Sequence, residues 1–186
     1  LRGRHMGHAI PEPMKEPILG AVIGRVIESK SAELQEGDLI HTMEGSWQEI
    51  VAVKTGDARK LDTRAAPLSC HTGVLGMPGL TAWSSMSQLA RVKEGDVVLI
   101  DAAAGPVGGT AGQIAKIMGA EKVVGIAGGA AKCALVKDTY GFDACVDYKS
   151  ENWRDALQEE LKDGLTVFHE NVSADMAMLA LTHARP

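Results

Sequence analysis

The sequence predicts an α/β protein in which a parallel sheet with helices on both faces follows part of a β-rich, barrel-like domain. From Asp96 onward, short apolar runs recur every twenty-odd residues, with segments of helical spacing between them. This alternation is typical of βαβ units and a parallel sheet. Glycine is also abundant, with 21 of 186 residues, or about 11% against a usual value near 7%. That excess indicates close backbone packing or close approach of a ligand.

The first part of the chain is predicted to be β-rich. Residues 18–28 are apolar and β-branched with interior glycines, which predicts a strand with a bulge or a tight bend. Two further strands are expected over residues 39–43 and 47–53. Their preceding turns are placed at Gly37-Asp38 and Gly45-Ser46. Between residues 67 and 91, apolar residues stand among small ones, which predicts short helices in close contact.

The rest of the chain is predicted to alternate strands and helices. Residues 97–100 form a short continuous apolar run, as expected for a strand that is buried on both faces. The other predicted strands cover residues 123–126, 144–146 and 165–169. The predicted helices cover residues 108–118, 130–139, 153–161 and 174–184.

The amino-acid composition argues against several classes of protein. The chain has 19 Lys and Arg against 24 Asp and Glu, a net charge of −5 and few aromatic residues, so a nucleic-acid-binding protein is not predicted. The cysteines form no C-x-x-C pair, and no apolar run approaches the roughly 18 residues of a membrane span. We therefore expect a cytoplasmic protein with no metal site and no membrane segment. A packing role is expected for the isolated histidines His41, His71, His169 and His183.

The junction after the run at 97–100 carries a glycine-rich turn. Residues 102–108 have the spacing A-x-x-G-x-x-G between a predicted strand and a predicted helix. In this context, backbone N–H groups at a helix N-terminus meet a pyrophosphate, and Gly105 and Gly108 allow its close approach. Gly112 would let the helix pack tightly on the strand. The pattern predicts a dinucleotide-binding sheet of the Rossmann type, and a turn required only for packing is the alternative.

The end of the second predicted strand of this sheet favours NADP over NAD. An NAD site usually has Asp or Glu there to hydrogen-bond the ribose, but residues 127–132 contain no carboxylate. A lysine just beyond this small-residue turn, Lys132, would attract a 2′-phosphate. The alternative is that Lys132 is a solvated residue of the first helical turn, where a cation is mildly unfavourable.

Several segments together resemble the zinc-independent medium-chain dehydrogenase/reductases, in the group of prostaglandin reductases and NADP-dependent alkenal double-bond reductases. These segments are residues 76–83, 101–116, 124–129 and 141–149. Residues 24–29, 37–38 and 47–49 resemble the barrel-like (GroES-like) domain of that family. The resemblance implies that residues 1–75 are part of a β-rich substrate and catalytic domain. It implies that residues 76–186 are an NADP-binding Rossmann domain without its last strands, so that the chain is truncated at both ends.

The resemblance also implies which residues contact the cofactor, NADP(H). These are Gly105, Pro106, Val107, Gly108, Gly109, Gly128, Lys132, Tyr148 and Asn171. From the residues alone, Tyr148 would be a half-buried strand-end tyrosine and Asn171 a helix cap. No catalytic residue is assigned.

The activity implied by the resemblance is that of an oxidoreductase. Family members use NADPH, without a metal, to reduce the carbon–carbon double bond of α,β-unsaturated ketones and aldehydes. The protein would hold the two reactants together and stabilise enolate charge. The partner is a small enone or enal, and dimerisation, common in the family, is an expectation for the full-length protein. The alternatives are a quinone reductase of the same superfamily and a truncated NADP-binding module without turnover.

Overall fold

The described residues of this computed structural model, 17–172 and 174–185, contain seven strands in two separate sheets. An antiparallel sheet lies in a unit that ends at Thr72, and a parallel sheet lies in a second unit that begins at Gly73. Residues 1–16, which the resemblance assigns to the start of the β-rich domain, lie outside the described residues. Within the described part, no helix is both long enough and apolar enough to cross a bilayer.

The first unit is built on an antiparallel sheet with the order β1-β2-β3. Its strands are β1, Leu19–Arg25; β2, Leu39–Ser46; and β3, Ala58–Lys60. The predicted irregularity in the first strand is present, because the register of β1 against β2 shifts between Gly20 and Val22. Such a shift is characteristic of a β-bulge.

The prediction for residues 45–53 was wrong. β2 continues through Gly45 and Ser46, where a turn was expected, and residues 47–53 form no strand. Gly45 lies opposite Gly20, and a Cβ on Gly45 would overlap the Val22 side chain. This glycine is therefore required for the close approach of two strands at the bulge rather than for a turn. The third strand is β3, which no apolar run in the sequence indicated.

The second unit has the predicted βαβ alternation. Its four strands are all parallel and have the order β6-β5-β4-β7. These strands are β4, Val97–Ile100; β5, Lys122–Ala127; β6, Ala144–Asp147; and β7, Val167–His169. The helices are α1, Met77–Trp83; α2, Pro106–Ile117; α3, Ala130–Ala134; α4, Trp153–Glu160; and α5, Ala174–Leu181. π-helical turns prolong α1 over Ser84–Leu89 and α3 over Leu135–Thr139.

The core of the second unit lies on both faces of the parallel sheet, as predicted. Val98 and Ile100 of β4 pack in a cluster with residues of α2 and α3, whereas Val97 and Leu99 pack with residues of α4 and α5. Successive side chains of a strand point to opposite faces, so β4 is apolar throughout. Helices therefore cover both faces of the sheet and leave its carboxyl ends at one edge.

Helix α2 lies close to the rest of the core because Gly112 has no side chain. A Cβ on Gly112 would overlap the ring of Phe142, which is buried. The sequence predicted that Gly112 permits close packing, and it does so. Its partner is an aromatic ring beyond α3 rather than the adjacent strand.

Candidate functional site

The carboxyl edge of the parallel sheet contains a point where the strand order reverses. β4 lies between β5 and β7, and the helix after β4 packs on one face of the sheet whereas the helix after β7 packs on the other. In open α/β sheets, ligands bind in the crevice outside the carboxyl ends at such a point. The segments that border it here are residues 101–105 after β4 and residues 170–172 after β7.

The glycine-rich turn places an uncapped helix N-terminus at this edge. Gly105 is the N-cap of α2 and Pro106 its first residue. No side chain among the described residues caps the helix, and its first turn holds no acidic residue. Ala102 has a φ of 44°, and its carbonyl accepts the Gly105 N–H at 2.8 Å. The N–H groups of Val107 and Gly108 belong to the first turn and have no preceding turn to bond. This arrangement favours an anion.

Two of the predicted glycines lie beneath the turn rather than on its surface. Gly108 and Gly109 are buried. A Cβ on Gly108 would lie 2.6 Å from the Ala102 carbonyl oxygen, and one on Gly109 would lie 2.7 Å from the Tyr140 ring. Internal packing therefore requires both glycines. Gly105 and Val107 are partly buried and Pro106 is exposed, so these three are the ones nearer to solvent.

The next strands along the edge bring two further predicted residues together. Gly128 follows β5 and Tyr148 follows β6. A Cβ on Gly128 would lie 2.8 Å from atoms of the Tyr148 ring, so the ring packs directly on the glycine backbone. The Tyr148 N–H donates to the Ala127 carbonyl at 3.1 Å, and 44% of the side chain remains exposed. Tyr148 therefore lies at the strand end against Gly128, with much of its surface open to solvent.

The positive charge at the start of α3 comes from Lys132. Lys132 is exposed and forms no ion pair with any residue that the structure describes. Gly129, which has a φ of 99°, donates its N–H to Asp147 Oδ1 at 2.7 Å. This hydrogen bond and the one from the Lys149 N–H hold the pKa of Asp147 below its usual value. The acidic group near this turn is therefore engaged with the backbone.

Asn171 is held at the reversal point by a buried carboxylate. Asp101, at the end of β4, accepts the backbone N–H of Asn171 at 2.9 Å and that of Val172 at 3.1 Å. Burial raises the pKa of Asp101, while these hydrogen bonds act in the opposite direction. The carboxylate thereby ties the segment after β7 to the end of β4.

His169 is not isolated, which corrects the expectation of a simple packing role. Its Nδ1 lies 2.7 Å from Asn171 Nδ2, and its Nε2 lies 3.1 Å from Ser85 Oγ. Sequence reasoning missed Asp101, His169 and Ser85 as site residues. A polar residue directly after a fully apolar strand was a signal for Asp101. No local pattern connects Ser85 with His169, which is 84 residues away.

Two grooves lie away from this edge. One, of about 670 Å³, lies in the second unit between α1 and α2, where Leu80, Trp83 and Ile117 line it. The other, of about 860 Å³, lies in the first unit and includes Val22, Ser46 and Ile50. Neither groove includes a predicted cofactor residue. Across residues 17–172 and 174–185, no three His, Cys, Asp or Glu side chains come together in a group that could hold a metal ion.

The chain is similar in sequence to a known protein family and to several oxidoreductases. The family model "Zinc-binding dehydrogenase" matches residues 106–186. A putative NADP-dependent oxidoreductase of Bacillus subtilis is 40% identical over 181 residues, which are 95% of this chain and 52% of the relative. The NADP(+)-dependent 2-alkenal reductase of Nicotiana tabacum is 37% identical over 171 residues, 91% of this chain and 49% of the relative.

A solved structure is similar over both units. The crystal structure of CurA from Vibrio vulnificus in complex with NADPH has a TM-score of 0.87 and 33% identity. The match covers 96% of this chain and 52% of that one. The chain thus spans about half the length of the curated relatives it matches.

Proposed function

We propose that the chain belongs to the medium-chain dehydrogenase/reductases, in the group that includes NADP-dependent alkenal reductases, and that the full-length protein is an NADPH-dependent double-bond reductase. Its substrates would be α,β-unsaturated ketones and aldehydes, and its reaction would need no metal. We further propose a cytoplasmic location and a homodimer for the full-length protein. The resemblance supports the proposed reaction and the homodimer, and the geometry of the sheet edge supports the proposed cofactor.

The observation that carries the proposal is the uncapped N-terminus of α2 at the reversal point of the sheet. A pyrophosphate is the anion that such a turn binds in dinucleotide-binding folds. Along the same edge, the Gly128–Tyr148 contact offers an aromatic ring, and Lys132 offers a cation. Residues 128–131 contain no carboxylate that would repel a 2′-phosphate. The donor set therefore fits NADP(H).

The residues divide the work of binding. The N–H groups of Val107 and Gly108 in the first turn of α2 would hold the pyrophosphate, and Lys132 would hold the 2′-phosphate. Tyr148 would lie beside the adenosine end, and Asn171 would meet the cofactor at the reversal point. When bound, NADPH supplies a hydride for the β-carbon of the substrate. The protein's remaining task is to orient the two reactants and to stabilise negative charge on the enolate oxygen.

The first test measures cofactor preference by fluorescence titration with NADPH and with NADH. We expect Lys132→Ala to weaken NADPH about tenfold, since a charge-assisted hydrogen bond is worth about 1.5–3 kcal/mol and solvent screens this exposed lysine. NADH has no 2′-phosphate for Lys132 to contact, so its affinity should change less than about twofold. Lys137→Ala, an exposed lysine on the prolonged α3, is the matched control. An equal loss for both cofactors would contradict the role of Lys132.

The second test measures NADPH oxidation at about 340 nm, the nicotinamide absorbance, with a 2-alkenal and with a quinone as acceptors. Turnover of the alkenal supports the proposed reaction. Turnover of the quinone alone assigns the chain to the quinone-reductase alternative. Tight NADPH binding without turnover of either acceptor identifies a cofactor-binding module. Failure of the chain to bind NADPH overturns the proposal.

A further inference from the structure

We propose that His169, together with Ser85, is a positioning residue that fixes the side-chain amide of Asn171 so that its Oδ1 faces a donor on the bound dinucleotide. The donor would be a hydroxyl or an amide N–H group. This inference rests on the proposed function, because it specifies how one residue of the cofactor site is oriented. It adds two residues, one from the π-helical turn after α1 and one from β7, to a site otherwise built from loops.

The direction of each hydrogen bond follows from the number of protons available. The Ser85 hydroxyl, which has a single proton, donates to the Thr81 carbonyl. Its contact with His169 Nε2 at 3.1 Å can then be a hydrogen bond only if Nε2 is the donor and Ser85 Oγ the acceptor. A neutral imidazole that carries its proton on Nε2 has an unprotonated Nδ1. In the neutral ring, His169 Nδ1 is therefore an acceptor.

The acceptor on His169 determines the orientation of Asn171. Asn171 Nδ2 lies 2.7 Å from His169 Nδ1 and 3.5 Å from Asp101 Oδ1, so two acceptors flank the amide NH2 group. The reversed amide would place Oδ1 against both acceptors and is excluded by repulsion between lone pairs. Within the described part of the structure, Asn171 Oδ1 takes no hydrogen bond, and the residue is exposed. An acceptor of fixed direction is thus available at the reversal point.

The same proton count excludes a nucleophilic role for Ser85. An activated serine donates its proton to the neighbouring histidine, whereas the Ser85 proton is directed to the Thr81 carbonyl. His169 Nε2 donates in this pair and cannot act as a base toward Ser85. The distance between Ser85 and His169 is like that between the serine and histidine of a hydrolase triad. The direction of the hydrogen bond is the reverse, because here the histidine donates to the serine.

The test is a double-mutant cycle on NADPH affinity in the 186-residue chain. We expect Asn171→Ala to weaken NADPH about tenfold, equivalent to about 1.4 kcal/mol. His169→Phe, which retains a planar ring, should weaken it about fivefold, and Ser85→Ala about threefold, each a partial loss of one oriented hydrogen bond. In the Asn171→Ala background, His169→Phe should have no further effect, because its action passes through Asn171.

The matched control is Ser87→Ala, since Ser87 lies in the same π-helical turn and donates to the Trp83 carbonyl without contacting His169. It should leave NADPH affinity unchanged. A His169→Phe loss of equal size with and without Asn171 would show a purely structural effect and overturn the inference. Wild-type affinity in both His169→Phe and Ser85→Ala would also overturn it while leaving the proposed function intact. If the wild-type chain does not bind NADPH, the proposed function fails and this inference fails with it.

A second readout does not involve the cofactor. Nitrogen-15 NMR distinguishes the two neutral tautomers of an imidazole. We expect His169 to be protonated on Nε2 in the wild-type chain, and we expect Ser85→Ala to increase the fraction protonated on Nδ1. Finding His169 protonated on Nδ1 in the wild type would overturn the inference even if every variant binds NADPH as expected, because Nδ1 would then be unable to accept from Asn171.

Discussion

Replacing Gly112 by alanine tests whether the close approach of α2 to the core is a physical requirement. In an open helical position, this substitution stabilises a protein by about 1 kcal/mol, because alanine has the higher helix propensity. Gly112 is not open: a Cβ there would lie 2.7 Å from Phe142 Cε2 and closer still to Cζ and Cε1. The ring itself is only 4% exposed, so it has little space into which to move.

The two effects have opposite signs, and the clash is the larger. Overpacking a well-packed core costs about 1–3 kcal/mol, and the upper value applies when three ring atoms must move at once. Subtracting about 1 kcal/mol for helix propensity leaves a net loss of about 2 kcal/mol. This corresponds to a decrease in Tm of roughly 6–10 °C for a unit of this size. Displacement of α2 would also move the N–H groups of its first turn, so NADPH affinity should fall as well.

The assay is chemical and thermal unfolding of Gly112→Ala, with Gln113→Ala as the control on the exposed side of the same helix. The control should stay within about 0.5 kcal/mol of the wild type. Adding Phe142→Leu to Gly112→Ala should restore part of the lost stability, because the shorter side chain vacates the space of the ring tip. A Gly112→Ala protein that is more stable than the wild type would refute the reasoning, since only an open helical position gives that result.

Two further predictions concern Asp101 and metals. Burial raises the pKa of Asp101, so the folded state binds this proton more tightly than the unfolded state does. The contribution of Asp101 to the free energy of unfolding therefore falls as the pH rises from its unfolded pKa through its raised folded pKa. Asp101→Asn should remove that slope and cost about 1–3 kcal/mol at neutral pH, because its NH2 group is a poor partner for the N–H groups of residues 171 and 172. An unchanged slope in unfolding titrations above the ordinary pKa of a carboxyl group would contradict the assignment. Extended dialysis of the full-length protein against a chelator should leave alkenal reduction unchanged, and loss of activity that added zinc restores would contradict the proposed metal independence.

The parallel sheet was predictable because its signals are local. Each strand of the second unit is a short apolar run, and the turn before α2 combines glycines with a proline that suits a first helical position. The small first unit was harder to predict. Gly45 was interpreted as a turn residue although it serves close contact between strands, and β3 is a three-residue strand without an apolar pattern.

The candidate site was predictable only in part, because several of its contacts join distant residues. The spacing of the turn and the resemblance to a family predicted cofactor contacts in the segments after β4, β5, β6 and β7, and these contacts stay a prediction. The pairing of Ser85 with His169 depends on where the π-helical turn places one hydroxyl, and no pattern within a single segment reports that. The burial of Asp101 likewise follows from the order of strands, in which β7 lies beside β4.

The tie between Asp101 and the segment after β7 also affects how a ligand binds. Because the backbone of residues 171 and 172 is hydrogen-bonded to a buried carboxylate, its conformational entropy is lost when the protein folds rather than when a ligand arrives. Association at this edge should then need no slow closing step, and its rate should grow in proportion to ligand concentration. The same coupling links the site to the pairing of β4 with β7, so that local opening of these strands would abolish binding before the rest of the sheet unfolds.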